Sequence, residues 1–131
     1  MLKISSPLSN DLESLVTDII GMSIDVHEAL GPGLNESVYA RACRIELDSR
    51  GISFESEYSV PIYYRGQLLC HQRIDLFVDK RLVLELKSID GIHRVHVAQT
   101  VGYLRLTKAR VGLIVNFNVE VLRYGIKRVV L

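Results

Sequence analysis

The chain has 131 residues, 48% hydrophobic and 24% charged, with a formal net charge of +1. That length suits one domain spanning residues 1–131 with a real core, and the composition excludes a disordered, fibrous or low-complexity chain. No apolar run approaches the ~20 residues of a membrane span and no apolar leader follows Met1, so a cytoplasmic protein without membrane contact is expected. Cys43 and Cys70 stand apart with no C-x-x-C pairing and are expected to be reduced core thiols. The charge is uneven: residues 1–57 hold ten acids and four bases, and residues 58–131 hold five acids and twelve bases. A basic second half is compatible with a nucleic-acid surface, and equally with a self-complementary homodimer.

Ser9 or Asn10 is placed to cap a helix starting at Asp11, where Asp11 and Glu13 suit the positive end of the helix dipole. Leu12, Leu15, Val16, Ile19, Met22, Val26 and Leu30 recur at helical spacing and form one buried stripe. Gly31-Pro32-Gly33 ends the helix, since glycine tolerates left-handed geometry and proline cannot continue the hydrogen-bond pattern. His27-Glu28 opens a zinc-protease-like pattern, but Gly31 stands where the second histidine is needed. The Gly31–Gly33 turn lacks the Gly-Lys-Ser/Thr of a phosphate loop, so both features read as structural. A second helix runs from about Glu36 to Ser49, capped by Asn35 and closed by Gly51. Val38, Ala42 and Ile45, with Tyr39, Cys43 and Leu47 beside them, make its apolar face. Glu36 in the first turn complements the helix dipole, by about 0.3–1 kcal/mol.

From Ile52 the period switches to strands: Ser53–Val60, then Ile62–Tyr64 turning at Arg65-Gly66 into Gln67–Cys70, then a hairpin over residues 73–87. In that hairpin Ile74, Leu76 and Val78 alternate with Asp75 and Phe77, while Leu82, Leu84 and Leu86 alternate with Val83, Glu85 and Lys87. Parity selects the loop. A two-residue turn sets Asp75 against Leu84, whereas the three-residue loop Asp79-Lys80-Arg81 sets Asp75 against Glu85 and keeps the aliphatic face whole. The latter register brings two carboxylates roughly 5 Å apart at Cβ. Such a pair calls for a positive occupant, and a hard divalent cation fits oxygen ligands. Lys87 projects to the same face, which reads as a metal site with a catalytic lysine; the competing reading is a solvated hairpin face with a surface salt bridge.

His93 to about Lys108 returns to helical spacing. Val97, Val101 and Leu104 line one side, and His96, Gln99 and Tyr103 the other. Residues 110–117 hold a continuous apolar run typical of a buried strand, and Ile126–Leu131 is a closing strand. The order ααββββαββ predicts a mixed sheet flanked by helices, an α/β fold at the border with α+β.

The pattern Asp75-x9-Glu85-x-Lys87 resembles the core of the PD-(D/E)XK nucleases, with Ile74 standing where that superfamily has a proline. Gly33, Glu36 and Tyr39 form a G-x-x-E-x-x-Y string that resembles the small bacterial family named for that motif, itself assigned to the same superfamily. Gln99-x-x-x-Tyr103 resembles the Q-x-x-x-Y motif of its RecB-like members. The resemblance runs from about residue 12 to the end and implies a restriction-endonuclease-like core. It further implies Mg²⁺ or Mn²⁺ held by Asp75, Glu85, the Leu86 carbonyl and Glu36, with Lys87, Gln99 and Tyr103 acting on the attacking water or the substrate phosphate. The function expected is a metal-dependent nuclease acting on DNA or RNA, with a homodimer or partner protein supplying reach. The alternative is a non-catalytic partner-binding or structural module on a nuclease-like scaffold.

Overall fold

In the computed structural model, which describes residues 6–131, the N-terminal stripe forms the 21-residue helix α1 (Asn10–Leu30). Ser9 caps it, its side chain accepting from Leu12 N at 3.2 Å. Met1 and the four residues after it, read above as lacking an apolar leader, lie outside the described residues. The chain continues through α2 (Glu36–Ser49), β1 (Phe54–Tyr64), β2 (Gln67–Val78), β3 (Leu82–Lys87), α3 (Arg94–Thr107), β4 (Val111–Asn116), a 3-10 turn (Leu122–Gly125) and β5 (Ile126–Val130). The succession of two helices, strands, one helix and closing strands is the expected one. The runs Ser53–Val60 and Ile62–Tyr64 are one strand, because β1 lies at the sheet edge, where a proline such as Pro61 is tolerated. The runs Gln67–Cys70 and Arg73–Val78 likewise join as β2. Among the described residues no helix is long and apolar enough to cross a membrane.

The five strands lie in the order β1-β2-β3-β4-β5, antiparallel except for the parallel β3–β4 pair that brackets α3. β3 and β4 are apolar almost throughout because both their faces are covered. On one face α1 and α2 pack Ile19, Met22, Tyr39, Cys43 and Leu47 against Leu76, Leu84, Leu113 and Val115. On the other, α3 packs Tyr103 and Leu104 against Ile74, Val83 and Ile114. Each fully buried aliphatic side chain contributes about 1.5–3 kcal/mol. Helix α3 comes close enough that a Cβ on Gly112 would stand 2.7 Å from Thr100 Cγ2.

Four side chains depart from the apolar patterns. Leu30, the last residue of α1, is exposed, because the helix ends before its final turn meets the sheet. On α2 the buried line is Tyr39, Cys43 and Leu47, spaced four apart, which leaves Val38 and Ile45 facing solvent. Cys43 is a buried core thiol, its pKa pushed up to about 12 by burial and then by the Glu46 charge. Cys70 is exposed, because residues 61–72 of the β1–β2 ribbon run past the rest of the sheet with solvent at nearly every position.

Candidate functional site

Strands β2 and β3 pair Val78 with Leu82, Phe77 with Val83 and Leu76 with Leu84, so the connecting loop is Asp79–Arg81. Asp79 and Lys80 take φ of 52° and 55°, and Arg81 N donates to Val78 O at 2.9 Å, closing the turn. One step beyond Leu76 and Leu84 the ladder stops at Asp75 and Glu85. There side chains replace backbone partners. Asp75 N donates to Glu85 Oε2 at 3.3 Å, and Leu86 N donates to Asp75 Oδ2 at 2.8 Å.

The opening has a local cause. Across β1 and β2 the pairing passes from Ser56–Leu76 to Tyr58–Ile74 and skips Glu57 and Asp75, and Glu57 takes a φ of 52°. The ribbon turns over at this point: Leu76 sits in the core beneath α1 and α2, and Ile74 in the core beneath α3. Ile74 therefore does not share a face with Leu76 and Val78, contrary to simple alternation, because the skipped pair shifts the pleat by one. The same shift frees Asp75 from the ladder.

Glu85 is 4% exposed. Burial, and next the Asp75 carboxylate beside it, push its pKa up to about 9, while Lys87 pulls the other way. Tyr103 is buried, and its phenol is raised to about 12 by burial and then by the charges of Glu85 and Asp75. It stays a proton donor beside two acids. Lys87 ends β3 half-buried and in register with Asn116 of β4. His96 is lowered by burial and then by the Lys87 and His93 charges.

Asp75 and Leu86 line a cleft of about 290 Å³ whose far wall is the start of α2, with Glu36, Ser37 and Ala40. A residue-by-residue account of α2 explains that wall. Gly33 takes a φ of 96° in the turn before the helix. Tyr39, fully buried, stacks on Phe117 with ring centroids 4.3 Å apart. Its hydroxyl donates to Gly31 O at 2.6 Å and accepts from Leu34 N at 3.2 Å. The turn is thus pinned from below, and Glu36 is delivered to the strand end, where its carboxylate accepts from Ser88 N at 3.4 Å. Ser88 Oγ donates in turn to Leu34 O. Gln99 lies on α3, is exposed, and forms no side-chain hydrogen bond among the described residues.

The donor set fits a hard divalent cation. Two adjacent carboxylates offer oxygen, Leu86 lines the cleft beside them, and burial together with the Asp75 charge drives Glu85 towards protonation. Among the described residues no three His, Cys, Asp or Glu side chains form a metal cage. Mg²⁺ in particular keeps several waters and needs only one or two protein carboxylates.

A model of the PD-(D/E)XK nuclease superfamily matches residues 13–129, from α1 through β5. The chain belongs to the PD-(D/E)XK nuclease superfamily. No curated protein and no solved structure matches it. In this PD-(D/E)XK chain the residue that sequence reasoning missed is Asn116. Its Oδ1 accepts from Ile89 N at 3.1 Å and from Asn118 N at 3.2 Å, and its Nδ2 donates to Ile89 O at 3.1 Å. With Phe117 N donating to Lys87 O at 2.9 Å, it fixes the backbone on which Lys87 and Ser88 stand. The signal was present: an amide closing an otherwise apolar strand has to be satisfied by something local.

Proposed function

We propose that this protein is a metal-dependent phosphodiesterase acting on nucleic acid, with Asp75, Glu85 and the Leu86 carbonyl holding Mg²⁺ or Mn²⁺. PD-(D/E)XK nucleases generally use divalent metals. The single observation that carries the reading is the buried Glu85 carboxyl set against Asp75 where the β2–β3 ladder opens into a cleft. An ion held there would polarise a phosphate oxygen and lower the pKa of a water. Lys87 orients that water or takes its proton, and its ammonium offsets charge growing on the phosphate. Tyr103, kept as a phenol, donates a hydrogen bond on the α3 side. Glu36 holds Ser88 and with it the strand end, and Gln99 meets the substrate from the rim of α3. We also place the chain in the G-x-x-E-x-x-Y family, supported by the way Gly33 and Tyr39 present Glu36.

The test is cleavage of end-labelled single- and double-stranded DNA and RNA in Mg²⁺, Mn²⁺ or EDTA, using the parent, Asp75→Asn, Glu85→Gln and Lys87→Met. Metal-dependent product from the parent alone is expected. A parent inert on all four substrates in both metals decides for a second reading, a non-catalytic binding module on a nuclease scaffold. That reading is favoured because, among the described residues, no three His, Cys, Asp or Glu side chains are grouped to share one metal ion. The partner in the first reading is nucleic acid, with a second copy of the chain extending the contact surface; sedimentation with and without a bound strand measures the latter.

A further inference from the structure

On the far side of Asn116 from Lys87 lies a second and larger cavity, of about 460 Å³. It is enclosed by the loop that follows β3, the start of α3, and the 3-10 turn leading into β5. Ile92, Val97, Val119 and Ile126 give it an apolar lining. Tyr124 stands at its edge, 73% exposed. That ring is held in place: the Arg123 guanidinium lies 4.9 Å from its centroid and donates to its hydroxyl at 2.9 Å. Arg94 and Lys127 also line the cavity, and neither forms an ion pair among the described residues. Gly125 sets the depth of the wall, because a Cβ there would stand 2.2 Å from Asn116 O.

We propose that this cavity holds an unpaired nucleotide of a single-stranded nucleic acid, its base on Tyr124 and its phosphate against Lys127 and Arg94. The volume falls within the ~300–1,000 Å³ of small-ligand sites and admits a base and its phosphate. A cavity with apolar side chains in its lining and a restrained aromatic ring at its edge suits a base of any identity, since every base has a face to stack. Arg94 and Lys127 suit a phosphate backbone, and Asp90, the acid that also lines the cavity, is engaged by His93 at 3.3 Å. A paired base cannot enter, because both its faces are already covered by its neighbours in the duplex. Asn116 joins the two places: it pairs with Lys87 in the sheet, lines this cavity, and holds the Ile89 backbone between them. A strand lodged here is thereby positioned relative to the Asp75–Glu85 cleft, so the inference rests on the proposed function and narrows its substrate to one with an unpaired segment.

The experiment measures fluorescence anisotropy in EDTA, where cleavage is suppressed, with a short labelled oligothymidine, the matching oligouridine and a blunt duplex. Tyr124→Ala is expected to weaken single-strand binding by about 5- to 150-fold and leave duplex binding unchanged, the range given by the loss of one base–aromatic stack. Tyr124→Phe keeps the ring and is expected to bind as the parent does. Lys127→Glu is expected to weaken binding and lower the salt slope by about one. A Tyr124→Ala variant that binds single strands like the parent, or that loses single strand and duplex alike, overturns the inference, as does a parent that binds no single strand. These outcomes separate from those of the cleavage assay. A parent that cleaves while Tyr124→Ala binds normally refutes only this site, and one that never cleaves while Tyr124→Ala loses single strands refutes only the nuclease reading.

Discussion

From Leu76 to Val78 and from Leu82 to Leu84, strands β2 and β3 are joined backbone to backbone, and every side chain is apolar and buried. One residue further along, at Asp75 and Glu85, the same two strands are joined through carboxylates. The first half obeys the demand that buried amides find carbonyls. The second meets that demand with side chains, Asp75 and Glu85 each accepting from a backbone amide of the opposite strand. Stability is concentrated in one half and chemistry in the other, with only one residue pair separating them.

The comparison breaks most sharply on activity. Asp75→Asn, Glu85→Gln or Lys87→Met should lower cleavage by about 10²-fold or more while the chain remains folded, as read by rate assays beside circular dichroism. Leu84→Ala should do the reverse. A fully buried leucine lost from the closed half costs about 2–5 kcal/mol, seen as a lower denaturation midpoint with the rate per folded molecule retained.

The third test uses pH. Glu85 ionises near 4.5 when unfolded and at about 9 when folded, so between those values the folded state holds the extra proton. Glu85's contribution to stability should therefore be fully present below pH 4.5, fall as pH rises, and level off above about 9. Glu85→Gln should flatten that decline and melt a few degrees higher than the parent at pH 8, measured in EDTA. Mn²⁺ should stabilise the parent there and do little for the variant.

The smallest effect lies far from the site. Glu13 of α1 is held at about 2 by the hydrogen bonds of Arg128 of β5 and of Ser6. Its contribution is present above pH 4.5 and lost as pH falls towards 2. Arg128→Ala should lower the melting midpoint slightly at pH 7, with the gap to the parent closing in acid.

Much of this was legible in the sequence because periodicity is local. The α1 stripe from Leu12 to Val26, the loop Asp79–Arg81 and the opposition of Asp75 to Glu85 follow from helical spacing and strand parity alone. Parity failed at Ile74, since the positive φ of Glu57 on a neighbouring strand shifts the pleat, and no pattern within β2 records that. On α2, Val38 and Ile45 are as apolar as Tyr39 and Cys43, and only the position of the sheet decides which line is buried. Cys70 looked like a core residue because nothing in its own strand says how far the ribbon outruns its neighbours. Glu36 was recognised from a motif, but its hold on Ser88, and the role of Asn116, depend on contacts across many residues of chain.

The overhanging ribbon has a consequence in time as well as in space. Among the described residues, the only backbone-paired neighbour of β2 beyond Leu76 is β1, and an isolated two-stranded ribbon is barely stable in water. Its amide protons should exchange with solvent through brief local fraying, which leaves the rest of the molecule intact. Those of Leu82–Leu84 in β3 and of β4, bonded on both sides, should exchange only when the whole chain opens. Asp75 lies at the junction between these two regimes. The acid nearest the cleft thus sits at the hinge of a breathing arm, anchored on its other side to the slowest-exchanging strand of the sheet.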